Sequence, residues 1–515
     1  MNKSKQNDIV NVLSKQGRNV IAGTLYDLIQ LWKSWYRGDV NSFHRYTEVG
    51  VNGNTREREK LTFGLPKRIA EEWSSILWNE KVEISTDNEA VNKQLAVVFE
   101  NNSHKVEYGN LLEKTFGFAG TGATVQYLAD GETIIDYITG EFVIVTQGKD
   151  TQAQGLITVN EIEDNDKFIT HLTIHTLVNK QYIIEHQAFI SDKQTELGNR
   201  NSSALRSIFT DETLSTMRTE FKDEEGKLTD VKFLIIYDTD IPFFQLIRPN
   251  ITNNYDTNSK MGIPVIANSI DVYKALDNAY TSLDYESVFN KTVTVFGEKA
   301  TKEKNKTNLS DGSTSRVKYI DPNNFSYISS PMNDTEDWVK RQKGEFESEP
   351  YVNTIDKNIN WGGFKAGLGT KYWGFDGGTV YVNTENVISD NSDIWKNKVK
   401  HEIILSKALR DLVRAIVFLE QSQGRMPKLD IKTLDINIKF DDSIIQDDEK
   451  LRARDLELVD KGYMPKWAYL VKWESMTETE AKDSIKQAQE EQDNNALDFF
   501  DKVDSDNLED DEVIE

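Results

Sequence analysis

The stretch that most constrains this chain runs from Trp361 to Glu420, where a run crowded with glycine and aromatic residues leads into the longest helical pattern in the sequence. Gly363, Gly367, Gly369, Gly377 and Gly378, with Gly362 and Gly374 beside them, permit backbone angles closed to other residues, so the run reads as a loop with hinge glycines. Trp361, Phe364, Tyr372, Trp373 and Phe375 make it too apolar for a plain linker, and Lys365 and Lys371 add positive charge. Ser389, Asn391 or Ser392 is then placed to cap a helix with apolar positions at Val399, Ile403, Leu405, Leu409, Leu412, Val413, Ile416 and Leu419. A mobile loop on a long rigid helix suits a part that touches something moving past it; an ordinary turn is the simpler reading.

A search for chemistry is negative. The phosphate-cradling pattern GxxxxGK[ST] is absent, and Gly367-Leu368-Gly369 lacks the third glycine of a dinucleotide loop. His401-Glu402 has Leu405 where a zinc helix needs its second histidine. No nucleophile elbow, kinase set or calcium loop occurs, so neither an enzyme nor a cofactor or metal site is expected.

Charged residues make up 28% of the 515, cysteine is absent, and the formal net charge is −24. Most of such a chain should fold, without disulfides or thiolate metal sites. No apolar run is long enough to span a membrane, and the first residues lack the apolar core of a secretory signal. A protein that grips phosphates needs a basic face, so the acidic balance argues against a DNA-binding regulator. It is compatible with a conduit, because an acidic wall does not hold the polymer it passes.

In chain order, residues 1–19 read as polar and frayed. Helices are predicted from Ala22 to Gly38 and from Leu61 to Trp78, then a strand over NEKVEIS and helices over Val91–Phe99 and Tyr108–Gly117. Strands follow, with hairpins turning at Asp130-Gly131 and Asn179-Lys180. His171, Thr173 and His175 share one strand face with His186 on the partner strand; exposed strand histidines are the expectation, because no further ligand completes a metal spacing. Residues 193–230 read as loop, and VKFLIIY as a buried strand. Asn268 or Ser269 is placed to cap a helix bearing Tyr273, Leu276, Tyr280 and Leu283, a narrow stripe suited to helix packing within or between subunits. Lys299, Lys302, Lys304, Lys306, Arg316 and Lys318 form the most basic cluster. Asn333 or Asp334 is placed to cap a helix bearing Trp338 and Phe346, broken at Pro350. Leu434, Ile436, Ile438 and Phe440 alternate as a strand returning to the sheet of the first domain. Further helices follow, one opened by the Thr477-x-x-Glu480 capping box, before an acidic tail expected to be disordered.

Gly367-Leu368, the aromatic-Phe375-Asp376, Thr384-Glu385-Asn386-Val387 and Ser389-Asp390-Asn391-Ser392 resemble the loop-to-helix junction of portal proteins of tailed phages infecting Gram-positive bacteria. Those relatives carry Ser-Pro where this chain has Gly369-Thr370. The resemblance extends over most of residues 20–475, through the WKSWYRGD stretch, the helix followed by Asn79-Glu80-x-Val82, and the Gly262-x-Pro264 segment before a helix. It implies an α+β, portal-like fold: a β-rich wing, long stem helices, a small α/β clip and a helical C-terminal crown. The corresponding segments are 1–267 wing, 268–292 stem helix, 293–333 clip, 334–360 returning stem helix, 361–388 tunnel loop, 389–423 long wing helix, 424–446 wing strand, 447–497 crown and 498–515 acidic tail.

On this resemblance Lys365, Lys371, Tyr372, Trp373 and Phe375 lie near DNA. The lysine-rich cluster belongs to the clip, and Tyr273, Leu276, Tyr280, Leu283, Trp338 and Phe346 pack the stem. The implied function is a dodecameric ring at one capsid vertex, assembled in the host cytoplasm and carried in the virion. It passes double-stranded DNA without sequence specificity and meets the terminase large subunit, the major capsid and scaffolding proteins and a head-tail connector. Phosphate contacts carry no sequence information, which suits a conduit for a whole genome. An acidic, β-rich tail or adhesin protein that binds through its aromatic loop is the alternative, and a carboxylate-pair hydrolase ranks last.

Overall fold

A computed structural model describes residues 3–18, 20, 24–49, 55–129, 131–147, 153–221, 231–257, 259–289, 293–297, 302–307, 314–319, 327–330, 339–342, 348–369, 372–373, 384–441, 448–474, 476–477 and 480–488. The chain divides into one unit of residues 1–380 and 390–441 and a second of 381–389 and 442–515. Helix and sheet are mixed, as an α+β chain requires. Among the described residues no helix is long and apolar enough to cross a membrane.

The first unit opens with α1 (Lys3–Lys15), where a frayed end was expected. Ile9 and Leu13, one turn apart, are fully buried, and Lys5 reaches Glu161 at 2.7 Å. Average polarity concealed a narrow apolar stripe, and the stripe decides whether a helix docks. Helix α2 (Thr24–Arg37) buries Leu25, Tyr26, Ile29, Trp32 and Trp35 along one face and stops at Gly38 with φ +72°. The turn α3 (Asn41–His44) leads into a ribbon of β1 (Arg45–Val49) and β2 (Thr55–Glu59). Helix α4 (Leu65–Leu77) has Pro66 in its first turn, where a missing N–H costs nothing. Strand β3 (Glu83–Thr86) precedes α5 (Glu89–Asn101), whose Asn88 cap accepts from the backbone N–H groups of Ala90 and Val91. Helix α6 (His104–Lys114) runs into a buried π-turn, Thr115–Ala119.

Strands β4 (Gly122–Ala129) and β5 (Glu132–Thr139) form the expected hairpin. The main antiparallel sheet takes β6 (Val143–Gln147), β7 (Ala153–Asp164), β8 (Lys167–Val178), β9 (Gln181–Ser191), the two-residue β10 (Asn199–Arg200), β11 (Arg218–Phe221) and β12 (Val231–Tyr237). Its order is β11-β12-β9-β8-β7-β6, with β10 also on β9. Asn179 and Lys180 both take positive φ, which matches the twist of a two-residue hairpin, and Asn165 and Asp166 repeat the device between β7 and β8. The expected loop over 193–230 is therefore partly built. Besides β10 and β11 it holds a 3₁₀ turn at Ser202–Ser207 and α7 (Asp211–Thr216), capped by Thr210. Ala204 and Leu205 pack on Ile169 and Ala188, giving polar sequence a reason to order. Strand β13 (Phe244–Ile247) joins β4 and β5 in a separate sheet.

Helix α8 (Ile270–Phe289) is followed among the described residues by strands alone up to Gln342: β14 (Val293–Gly297), β15 (Lys302–Thr307), β16 (Thr314–Tyr319), β17 (Tyr327–Ser330) and β18 (Val339–Gln342). The order β17-β14-β18 makes one small sheet and β15-β16 a hairpin. Strand β18 corrects the helix expected over 334–360, and extends this strand region past the expected boundary at 333. The return helix, α9 (Ser348–Lys365), starts just before Pro350 and takes in Trp361–Lys365. Pro350 thus opens the helix instead of breaking it, because the first turn has no partner for an N–H in any case.

The long helix α10 (Thr384–Ser422) has 39 residues and begins a turn before the expected caps at Ser389, Asn391 and Ser392. Leu405, Leu409, Leu412, Val413, Ile416 and Leu419 are buried as the periodicity requires, while Val399 and Ile403 are exposed. Gly424 ends it with φ +71°. Strand β19 (Ile436–Lys439) pairs with β3 in a two-stranded sheet, not with the main sheet. In the second unit α11 (Asp448–Asp460) and α12 (Lys466–Trp473) are joined through Gly462. Lys472 Nζ and Trp473 Nε1 both donate to Asp455, at 2.5 and 3.1 Å. The predicted capping box stands: Thr477 N–H donates to Glu480 at 2.9 Å, and 480–488 are helical. The acidic tail lies outside the described residues.

Candidate functional site

Helices α8 and α9 pack side by side, and the glycines of α9 let Leu65 of α4 and the turn that follows α9 come close. A Cβ on Gly362 would stand 2.8 Å from Leu65 Cδ2 and 3.7 Å from the Tyr273 ring; one on Gly363 would meet the Gly369 carbonyl at 3.1 Å. Gly363 is therefore a close-approach residue inside a helix, not the hinge its composition suggested. The chain then turns through a Schellman motif: Leu368 N–H donates to the Gly363 carbonyl at 2.8 Å and Gly367 N–H to that of Phe364 at 3.0 Å. Gly367 has the positive φ this cap demands, +87°, and Leu368 is fully buried.

Neighbouring helices fix the turn. Trp73 Nε1 donates to the Ala366 carbonyl at 2.9 Å, and Asn397 Nδ2 to that of Gly367 at 2.9 Å. Gly369 follows with φ +83°. Tyr372 Oη donates to Glu72 at 2.6 Å, and its ring meets Trp373 edge-on at 5.2 Å. Burial, then the Glu72 carboxylate, pushes the Tyr372 hydroxyl well above its ordinary range. Lys365 is tied to Asp271 of α8 at 2.7 Å, and that bond holds the Asp271 carboxyl below its usual value. Of the residues expected near DNA, Lys365 is thus engaged by Asp271, and Tyr372 by Glu72 and the Trp373 ring. Lys371, Phe375, Gly377 and Gly378 lie outside the described residues. The reading of the segment as uniformly mobile is corrected for residues 361–369, where long-range packing holds it.

The stem expectation changes too. Tyr273 and Leu276 are buried within the chain, Tyr273 against Trp35 at 6.3 Å. Tyr280 meets Phe63 edge-on at 5.5 Å, and Leu283 is half-buried. Asp277, one turn from Tyr273 on α8, accepts from His44 and from Phe63 N–H at 3.0 and 2.8 Å. The stripe at Tyr273 and Leu276 is consumed internally. Trp338 and Phe346 lie outside the described residues. Exposed instead are Trp361 and Phe364 of α9, two apolar rings three positions apart that periodicity did not single out.

The basic cluster is divided by register. Lys302, Lys304 and Lys306 of β15 stand opposite Tyr319, Val317 and Ser315, whereas Arg316 and Lys318 of β16 stand opposite Asn305 and Glu303. The two groups occupy positions of opposite parity, and Lys299 is outside the described residues. Lys396, Lys398 and Lys400 lie within α10, which begins at Thr384. Lys398 is fully buried against Glu402 at 2.5 Å, one turn on, an ion pair closed within the chain.

The strand histidines are buried, against the expectation of exposure. His171 Nε2 and His186 Nδ1 are 3.1 Å apart, and His175 Nδ1 meets the Tyr182 hydroxyl at 2.7 Å. Burial lowers all three pKa values, to about 4 for His171 and about 3 for His175. No cluster suited to a metal ion occurs among the described residues. Compared with models of known protein families and with curated proteins, the chain finds no match.

Proposed function

We propose that this chain is one subunit of a portal-type ring, roughly twelve copies closing head to tail around a channel for double-stranded DNA. The observation that carries the reading is the order of elements between 270 and 422. One helix, α8, leads to a small strand region; α9 returns and packs along α8; a glycine-aromatic turn follows; and a 39-residue helix completes the series. A helix pair interrupted by a small strand region, then a turn delivered onto a long helix, is the order the resemblance to portal proteins implies. The acidic net charge of −24 favours passage over gripping. In this reading the ring sits at one vertex of a phage capsid. A separate terminase supplies the work of packaging, capsid, scaffolding and connector proteins bind the outer surfaces, and the chain itself performs no chemistry.

Particle images of the purified protein test this directly. A ring with a wide central pore is the expected result; a monomer or trimer that binds cell walls would move the reading to the tail or adhesin class. The loop has its own test. Because Gly367 belongs to a packed cap, shortening should be confined to Asp376–Thr379. Rings should then assemble normally while DNA packaging or retention falls, and normal packaging by such rings would remove the loop from the channel.

A further inference from the structure

Among the described residues, the ribbon of β1 and β2 stands open along nearly its whole length. All five residues of β1 are exposed, and so are all of β2 except the half-buried Arg58. A two-stranded hairpin is at best marginally stable alone in water, so a ribbon bare on both faces calls for a partner. Its register divides the side chains cleanly. One face carries Arg45, Thr47, Val49, Thr55, Glu57 and Glu59; the other carries Tyr46, Glu48, Arg56 and Arg58, with Lys60 next in line. Each face holds one internal ion pair, Arg45 with Glu59 at 3.8 Å and Arg58 with Glu48 at 2.8 Å. Lys60 Nζ lies over the Phe43 ring at 4.0 Å. What remains is Glu57 on one face and Arg56 on the other, neither with an ion-pair partner among the described residues. The root is anchored, since Tyr46 and Tyr285 of α8 bring their hydroxyls to 3.3 Å.

We propose that this ribbon is an arm joining successive copies of the chain, the acid-rich face of one lying against the base-rich face of the next. Opposite charges on opposite faces of one element favour a head-to-tail contact, which repeats from copy to copy and closes into a ring. A single exposed ion pair is weak, but the contact recurs at every interface, and like charges set opposite one another oppose it each time. The inference rests on the ring reading and assigns it an interface.

The test uses the full chain, with native mass spectrometry and negative-stain images of wild type, Glu57→Arg, Arg56→Glu and the double variant. Both positions are exposed, so circular dichroism should match wild type throughout, and thermal unfolding should too apart from a small loss where Arg56→Glu sets a second carboxylate opposite Glu48. Each single reversal should convert rings largely to monomers, and the double variant, with the charges of its faces exchanged, should restore them. Single variants that assemble like wild type, or a double variant as defective as the singles, would overturn the arm while leaving the ring reading intact. A wild-type chain that stays monomeric would overturn both.

Discussion

Gly367 gathers three constraints in one residue. Its φ of +87° is a region L side chains adopt only under strain, its N–H closes the Schellman motif, and a Cβ there would meet Asn397 Nδ2 at 3.1 Å. Gly367→Ala should therefore cost about 1–2 kcal/mol, read as a lowered urea midpoint with unchanged slope. Glu420 is a second concentrated site. Its carboxylate is buried, which would raise its pKa, but bonds from Arg425 at 2.5 and 2.6 Å, Thr133 at 2.6 Å and Gln94 at 2.8 Å outweigh burial and hold it below the ordinary value of 4.5. A folded value below the unfolded one means the contribution is complete above pH 4.5 and is lost as pH falls through the lowered value. Arg425→Ala leaves a buried charge with fewer partners and should destabilise by about 2 kcal/mol or more at neutral pH. The Glu420→Gln, Arg425→Ala double variant should recover part of that loss, because it removes the charge as well.

At the scale of elements, the pair β8–β9 makes the fold sensitive to acid. His171, His175 and His186 are held neutral by burial beside Tyr182, Phe209 and Phe244, with folded pKa values below the ordinary 6.5. The unfolded chain then binds protons that the folded one refuses. Stability should fall as pH drops below 6.5 and continue falling until the folded values near 4 and 3 are reached. His186→Asn should make that pH slope shallower, measured by urea unfolding at successive pH values; an unchanged slope would remove His186 from the acid sensitivity and leave it to the other buried histidines and the carboxylates.

The same strands indicate what the sequence conveys. Asn179-Lys180 and Asp130-Gly131 were legible because turn chemistry is local, and α2 because five buried side chains repeat at one period. The burial of His171 and His186 was not legible, since both pack on Phe209, which arrives from a segment that reads as loop. Gly362 and Gly363 misled for the same reason: glycine marks either a bend or a close approach, and Leu65 and Gly369, which decide between them, are remote in sequence or beyond the helix. Strand β18 went unrecognised because a four-residue strand offers too few repeats to separate period two from a helical turn.

For the whole molecule, the charge balance makes the sharpest statement. Affinity for duplex DNA comes chiefly from releasing counterions, and it grows with the number of phosphates neutralised together. Among the described residues, the cations expected near DNA do not stand together as a basic face. Lys365 is bound to Asp271, Lys398 to Glu402, and the lysines of β15 stand at a different parity from Arg316 and Lys318. With 85 acidic side chains against 61 basic ones, the long-range field opposes the polymer as well. Purified protein, assembled or not, should therefore retain no duplex in a gel-shift experiment even at about 50 mM salt, where nonspecific binders hold most tightly. On the ring reading proposed above, rings active in packaging should show the same indifference, because a conduit that bound its cargo would slow it at every step. Tight retention that falls steeply with added salt would mean that several phosphates are held at once, and would make this a clamp on DNA instead of a passage for it.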